Sequence, residues 1–131
     1  MDGIHQSKII REWSFGTNKK LAKKLETLVL SEIKTATTGL YKNEQSVPVV
    51  GEHAYIIDNN TARLCEIEYT KVMVKPFLEV DYEHVIKEGE GDKDIESWRE
   101  SHREFFQKEH PNTFTDNSLV ACEEFKVVKR F

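Results

Sequence analysis

The sequence predicts an α+β fold in which a small, curved and mostly antiparallel sheet is flanked by helices. Segments with helical periodicity alternate with apolar, strand-like segments along the chain. Asn59-Asn60 lies between two strand-like segments and suits a tight hairpin turn. A last apolar strand is expected over residues 118–129. Strands separated by helices, with a hairpin between them, are typical of α+β domains.

The length and composition are those of one globular domain. The chain has 131 residues, of which 38% are hydrophobic and 32% charged, so we expect a single domain over residues 1–131. No apolar run approaches the roughly 20 residues of a membrane span, and the N-terminus lacks a secretory pattern. The two cysteines, Cys65 and Cys122, are expected to be buried free thiols. These features predict a cytoplasmic protein without a membrane segment, and they leave its oligomeric state open.

The net charge of −4 conceals two oppositely charged regions. Residues 19–42 contain six lysines and two acids, whereas residues 78–124 contain 14 acids and five bases. Such a distribution can attract an anionic ligand to one face of an acidic protein. Two solvated helix faces of different charge explain the pattern equally well.

Two helices are expected at the N-terminal end. Residues 4–15 fit a short helix that ends at Gly16, because glycine readily adopts the left-handed conformation of a helix stop. Trp13 in this segment is expected to anchor the core, with stacking against a base as the alternative. A second helix should cover residues 18–32. Its apolar face consists of Leu21, Leu25, Leu28 and Val29.

The middle of the chain predicts strands and the C-terminal half predicts helices. The hairpin strands should cover residues 53–58 and 62–74. Asp81 is expected to cap a short helix, and Asp94 a longer one that Pro111 ends. The buried face of the longer helix should comprise Ile95, Trp98, His102 and Phe105. We expect the histidine of this set to be a hydrogen-bonded core residue.

The loop between these two helices is strongly acidic. Residues 88–94 contain four acids, two glycines and one lysine. Carboxylate oxygens can bind a divalent cation, but Asp92 and Asp94 lack the glycine and the final glutamate of a calcium-binding loop. We therefore expect no metal site, but an exposed loop or one that directs a carboxylate into a cleft.

The 34–41 segment, Lys-Thr-Ala-Thr-Thr-Gly-Leu-Tyr, concentrates polar side chains where the second helix gives way to a strand. Strand side chains alternate between faces, so Lys34 and Thr37 meet only if the backbone bends between them. Glu68, on the second hairpin strand, is a candidate to orient a catalytic lysine. The segment is either a functional site or a β-branched strand that begins with a solvated lysine.

Five short motifs in order resemble the small bacterial ASCH-domain proteins. They are Trp13-Ser14-Phe15-Gly16, Lys34-Thr35-Ala36-Thr37, Glu88-Gly89-Glu90-Gly91-Asp92, Trp98-Arg99 and Glu124-Phe125-Lys126-Val127-Val128. The resemblance covers nearly the whole chain. It implies a PUA-like fold, which is a partly open β-barrel of mostly antiparallel strands with flanking helices. It also implies an interaction with RNA.

The resemblance implies site residues as well. A related branch of amidohydrolases removes the acetyl group of N4-acetylcytidine, and by motif position Lys34 would be its base, Thr37 its nucleophile and Glu88 its assisting carboxylate. A lysine acts as a base for threonine only if its pKa is lowered and its amine lies within roughly 3 Å of the hydroxyl. The wider ASCH signature, G-x-K-x-x-E-x-R, is partly met, with Gly39 in the place of its arginine.

Three functions are compatible with these features. In the first, the protein binds single-stranded RNA or a modified nucleoside in a cleft formed by the 34–41 segment and the 88–92 loop. In the second, it is the amidohydrolase described above, and in the third it is a regulatory protein-interaction domain without a nucleic-acid ligand. No cofactor is expected. The predicted ligand contacts, besides the implied catalytic residues, are Thr35, Tyr41, Glu68, Glu90, Asp92 and Trp98.

Overall fold

The structure, a computed structural model, describes residues 10–16 and 18–131. Five strands are present in this part of the chain, namely β1 (Ile10–Trp13), β2 (Ala36–Leu40), β3 (His53–Ile57), β4 (Arg63–Pro76) and β5 (Leu119–Arg130). Three α-helices accompany them, namely α1 (Lys19–Leu30), α2 (Tyr82–Glu88) and α3 (Ile95–Glu109). None of these helices is long and apolar enough to cross a membrane.

The five strands form one mixed sheet in the order β1-β3-β4-β5-β2. Only the pairing of β1 with β3 is parallel, and the other three pairings among the described strands are antiparallel. The register of β4 against β5 shifts at two places, and such bulges bend and twist a strand pair. The α+β class with a mostly antiparallel sheet is therefore confirmed.

The sheet is curved into a half-barrel. Trp13 on β1 and Phe125 on β5 have ring centroids 6.4 Å apart, although β3 and β4 lie between their strands. In a flat sheet, three strand spacings would separate them by roughly 14 Å. The two edge strands, β1 and β2, thus bound a concave face.

Each face of the sheet carries its own apolar core. The core between the sheet and helices α2 and α3 contains Phe77, Val80, Val85, Trp98, Phe106, Phe114, Val120 and Cys122. The core on the concave face contains Val29, Ala54, Ile56, Cys65, Ile67, Tyr69 and Phe125. Both cysteines are buried free thiols, as predicted. Because strand side chains alternate, successive residues of β5 serve opposite faces.

The first element differs from the prediction. Residues 10–13 form a strand, paired with residues 53–56, and the expected helix is wrong there. Residues 4–9 lie outside the described part of the chain. Gly16 does have a positive φ of 89°, but it follows a strand. Trp13 packs against the concave-face core and its Nε1 donates to the Tyr69 hydroxyl at 3.0 Å, so its predicted role as an anchor is confirmed.

The hairpin turn is longer than predicted. β3 ends at Ile57 and β4 begins at Arg63, so the connection is not a two-residue Asn59-Asn60 turn. The Asp58 carboxylate accepts from the backbone N–H of Asn60 at 2.8 Å and of Ala62 at 2.9 Å. The left-handed residue is Thr61, with φ of 65°. Side-chain bonds to the backbone stabilise this wider turn.

The three later predicted helices are confirmed with small changes. Asp81 caps α2 by accepting from the His84 N–H, and Asp94 caps α3 by accepting from the Ser97 N–H. In α3 the buried phenylalanine is Phe106, whereas Phe105 is 56% exposed. The predicted buried face of α3 was therefore wrong at its last position. Phe105 and Phe106 are adjacent, and the helical spacing fits either of them.

Candidate functional site

The acidic loop packs directly against the connection between α1 and β2. Gly89 ends α2 in a left-handed conformation, with φ of 66°. A Cβ at this position would lie 2.4 Å from the carbonyl oxygen of Ile33. Glycine is thus required both by its φ and by the close approach of two backbones. This approach brings residues 88–90 beside the start of β2.

Lys34 is buried at this contact, with only 2% of its surface exposed. Its ammonium donates to Glu90 Oε2 at 2.6 Å and lies 3.4 Å from the carbonyl oxygen of Glu88. The backbone N–H and the hydroxyl of Thr35 both donate to the carbonyl of Lys87, at 2.8 and 3.3 Å. These bonds join the start of β2 to the end of α2.

Glu88 is the centre of a buried polar cluster and is only 1% exposed. Its Oε1 accepts from Trp98 Nε1 at 2.8 Å and lies 3.2 Å from His102 Nε2. Its Oε2 accepts from the Thr38 hydroxyl and lies 3.1 Å from His84 Nε2. Side chains from β2, α2 and α3 thus converge on one carboxylate.

The hydrogen-bond partners determine the charge of the cluster. His102 Nδ1 lies 3.0 Å from the Trp98 carbonyl oxygen, and its Nε2 faces the Glu88 carboxylate. Both of these partners are acceptors, and this arrangement favours the protonated, positively charged ring. Its ring stacks on Trp98 at 4.2 Å between centroids. The expectation of a hydrogen-bonded core histidine is confirmed.

The pKa values agree with a buried ion pair. Burial opposes the charge of Glu88, but hydrogen bonds from His102 and His84 and the charge of Lys34 hold the pKa of that carboxyl well below its usual range. Burial likewise lowers the pKa of His102, but the bond to Glu88 and its negative charge raise it above the ordinary value. These interactions therefore favour the ionised form of Glu88, whose carboxylate positions its neighbours.

The predicted pair of Lys34 and Thr37 is not brought together. Thr37 pairs with Glu123 in the β2–β5 ladder, whereas Thr38 pairs with Cys122 and points toward α2 and α3. Within the described residues, the Thr37 hydroxyl has no hydrogen bond to Lys34. The threonine beside Glu88 is Thr38, because strand alternation puts its neighbour on the concave face.

The other predicted ligand contacts are spread over the surface and the core. Trp98 is 0% exposed, so its ring offers no stacking face. Tyr41 is half-buried just after β2, and the backbone carbonyl of Asp92 accepts from the Tyr82 hydroxyl at 3.3 Å. Glu68 lies apart from the cluster, with its carboxylate 3.5 Å from His53 Nε2.

Two members of the cluster, His84 and Thr38, were not predicted from the sequence. His84 and Glu88 stand four residues apart on α2, and this spacing places their side chains on one helix face. The signal for His84 was therefore available. The participation of Thr38 depends on the register of β2 against β5, which no local pattern specifies.

An open cavity of about 320 Å³ adjoins the cluster at Thr38. It lies between the end of β2 and the C-terminal half of α3. Lys42 and His110 belong to its wall, and so does the exposed ring of Phe105. The described residues contain no group of three or more side chains that could hold a metal ion.

The chain was compared with known families and structures. The family model for the ASCH domain matches residues 11–129. An ASCH domain from Lactobacillus crispatus JV V101 is 26% identical, with a TM-score of 0.84 over 99% of this chain and 87% of that one. Protein EF3133 from Enterococcus faecalis V583 is 28% identical, with a TM-score of 0.81 over 99% and 88%.

More distant similarity is confined to the fold. A mutant of the ZmASCH protein from Zymomonas mobilis is 7% identical, with a TM-score of 0.56 over 89% of this chain and 67% of that one. No curated protein matches the sequence significantly. Because the family model spans residues 11–129 and the half-barrel has the same architecture, the chain belongs to the ASCH domain family and has its PUA-like α+β fold.

Proposed function

We propose that the protein binds single-stranded RNA or a modified nucleoside at the 34–41 segment, with one base in the cavity between β2 and α3. The ASCH family is associated with RNA binding. The cavity is the observation that carries the proposal. Its volume of about 320 Å³ is within the range of roughly 300–1,000 Å³ typical of ligand pockets.

The chemistry of the cavity wall suits a nucleotide. Phe105 presents an exposed aromatic face, on which a base of any sequence can stack. Lys42 and His110 lie at the same cavity and can contact a phosphate. On the side of the 88–92 loop, the Glu88 cluster holds Thr38 in a fixed position, so this wall is preorganised for binding.

The amidohydrolase alternative has less support. A general base must be unprotonated, but the ammonium of Lys34 is bound by the Glu90 carboxylate at 2.6 Å. Thr37 projects from the opposite face of β2 to Thr38. Thr38 does adjoin the cavity, but its hydroxyl proton is already donated to Glu88.

Fluorescence anisotropy with a labelled RNA of about eight nucleotides and mixed sequence tests the proposal. We expect Phe105→Ala to weaken binding about tenfold, because a stacked base contributes roughly 1–3 kcal/mol. Phe131→Ala is the matched control, since both rings are 56% exposed and Phe131 follows the C-terminal end of β5.

Salt dependence separates the phosphate contact from the stacking contact. Lys42→Ala should weaken binding for all sequences and reduce the slope of log K against log salt by about one. Phe105→Ala should leave this slope unchanged. The proposal is wrong if the RNA does not bind at low salt, or if Phe105→Ala and Phe131→Ala bind it equally well.

A further inference from the structure

Glu123 is a second carboxylate of interest, on the concave face of the sheet. It pairs across the ladders with Thr37 of β2 and Val72 of β4. Among the described residues, no side chain or backbone group donates a hydrogen bond to its carboxylate. Burial raises the pKa of Glu123 to about 7, although the positive charge of Arg11 lowers it in part. Its neighbour Glu124 points the other way and accepts from Lys87 at 3.2 Å.

Polar groups with unused hydrogen-bonding capacity lie on the same face. Arg11 donates to the carbonyls of Gln45 at 3.0 Å and Val47 at 3.2 Å, but its buried Nε has no partner in the described part of the chain. The Tyr69 hydroxyl accepts from Trp13 Nε1, and among the described residues its own proton is not donated to another group. The face thus combines the Glu123 carboxylate with hydrogen-bond donors.

Within the described residues, this part of the concave face is partly exposed to solvent. Thr37 and Glu123 are only half-buried, and Val74 is 42% exposed. Gly39 shares the face of Thr37, and a Cβ added to it would meet no atom within 4 Å. A planar group can therefore approach β2 and β5 closely at this point.

We propose that this strip of the concave face is a second binding site, in which Glu123 accepts hydrogen bonds from the edge of a guanine base. Guanine presents two adjacent donors, N1–H and the N2 amino group, to the two oxygens of one carboxylate. The positive charge of Arg11 acts on Glu123 and would repel a cationic ligand. An uncharged ligand with N–H donors is therefore favoured. The Thr37 hydroxyl can bond the same base. The choice of a nucleobase rests on the proposed function, but the site is separate from the cavity beside Thr38.

NMR chemical-shift titration with guanosine and with inosine tests this inference. Inosine lacks the N2 amino group, so we expect it to bind about tenfold more weakly. Guanosine should shift the amide signals of Thr37, Val72 and Glu123. Glu123→Gln should weaken guanosine binding by at least about tenfold, whereas Glu124→Gln is the matched control on the opposite face and should not. Binding to the parent should strengthen as the pH rises through about 7, because the ionised carboxylate is the acceptor.

The outcomes separate this inference from the proposed function. It is overturned if guanosine gives no shifts at these amides, if inosine binds equally well, or if Glu123→Gln binds like the parent. Loss of RNA binding in Phe105→Ala together with any of those results refutes the guanine site alone. If guanosine shifts the concave face but Phe105→Ala binds RNA normally, the cavity is refuted and the guanine site stands.

Discussion

Two glutamates on opposite faces of the β2–β5 pair differ in burial, in hydrogen bonding and in pKa. Glu88 is almost completely buried and is surrounded by donors, and its pKa is held well below the usual range. Glu123 is less buried and has no donor among the described residues, and burial raises its pKa to about 7. Donors, more than burial, therefore decide whether a carboxylate is charged inside this protein.

The two carboxylates are also expected to differ in role, with Glu88 contributing to stability and Glu123 to binding. A buried charge is costly unless it is paired and hydrogen-bonded. Glu88 meets that condition and joins β2, α2 and α3, so it stabilises the junction that forms the cavity wall. Glu123 has no donor among the described residues but is only half-buried, so solvent reaches it and, in the proposed site, a ligand that donates hydrogen bonds would replace that solvent.

Removal of Glu88 is expected to have the largest effect. Glu88→Ala should lower the free energy of unfolding by about 3–5 kcal/mol, because the His102 imidazolium and the Trp98 N–H lose their acceptor inside the core. Urea denaturation monitored by tryptophan fluorescence measures this change. Glu123→Ala is the control and should cost less than about 1 kcal/mol. Equal losses in the two variants would contradict the distinction between the carboxylates.

The pH dependence of stability should differ in sign between the two sites. The folded pKa of Glu123 is about 7, above the ordinary value of 4.5, so its contribution to stability is lost as the pH rises from 4.5 through 7. We expect Glu123→Gln to be more stable than the parent near neutral to alkaline pH by roughly 1–2 kcal/mol, after allowance for solvent screening. Denaturation midpoints on either side of the pKa, at about pH 5 and about pH 8, measure this gain.

The corresponding contribution of Glu88 has the opposite sign. Its folded pKa is lowered below 4.5, so the stability it provides is present above pH 4.5 and is lost as the pH falls through the lowered value. Glu88→Gln should therefore flatten the acid side of the stability profile and leave the change near pH 7 intact. A Glu123→Gln profile that still declines toward neutral pH as the parent does would show that another group causes that decline.

Elements with local signals were predicted well from the sequence. Helices α2 and α3 begin at aspartates that cap them, and α1 was found from its apolar periodicity, although Leu21 of its predicted apolar face is 46% exposed. β1 was missed because a four-residue edge strand depends on its pairing with β3, which is distant in the chain, and has no local signature. The hairpin was predicted correctly, but the predicted turn was too short. The prediction did not include the Asp58 carboxylate as a hydrogen-bond acceptor for the turn.

The site was predicted in part. The sequence predicted a cleft between the 34–41 segment and the 88–92 loop, whereas the two segments contact each other directly, with Lys34 bonded to Glu90 and Thr38 to Glu88. The choice of Thr37 over its neighbour rested on motif position. Which threonine faces the helices follows from the pairing of β2 with β5, a contact between segments far apart in the sequence. A one-residue change of register would exchange their faces.

The two adjacent threonines provide the most direct test of the comparison. Thr38→Val removes the hydroxyl that donates to Glu88 and should cost about 1–3 kcal/mol, because a buried carboxylate oxygen loses a partner. Thr37→Val is its matched control, since it makes the same change on the half-buried concave face and should alter stability by less than about 0.5 kcal/mol. In a double-mutant cycle, Thr38→Val should couple to Glu88→Gln and Thr37→Val should not. The reverse order of stabilities would show that the faces of β2 are assigned wrongly, and with them both proposed binding sites.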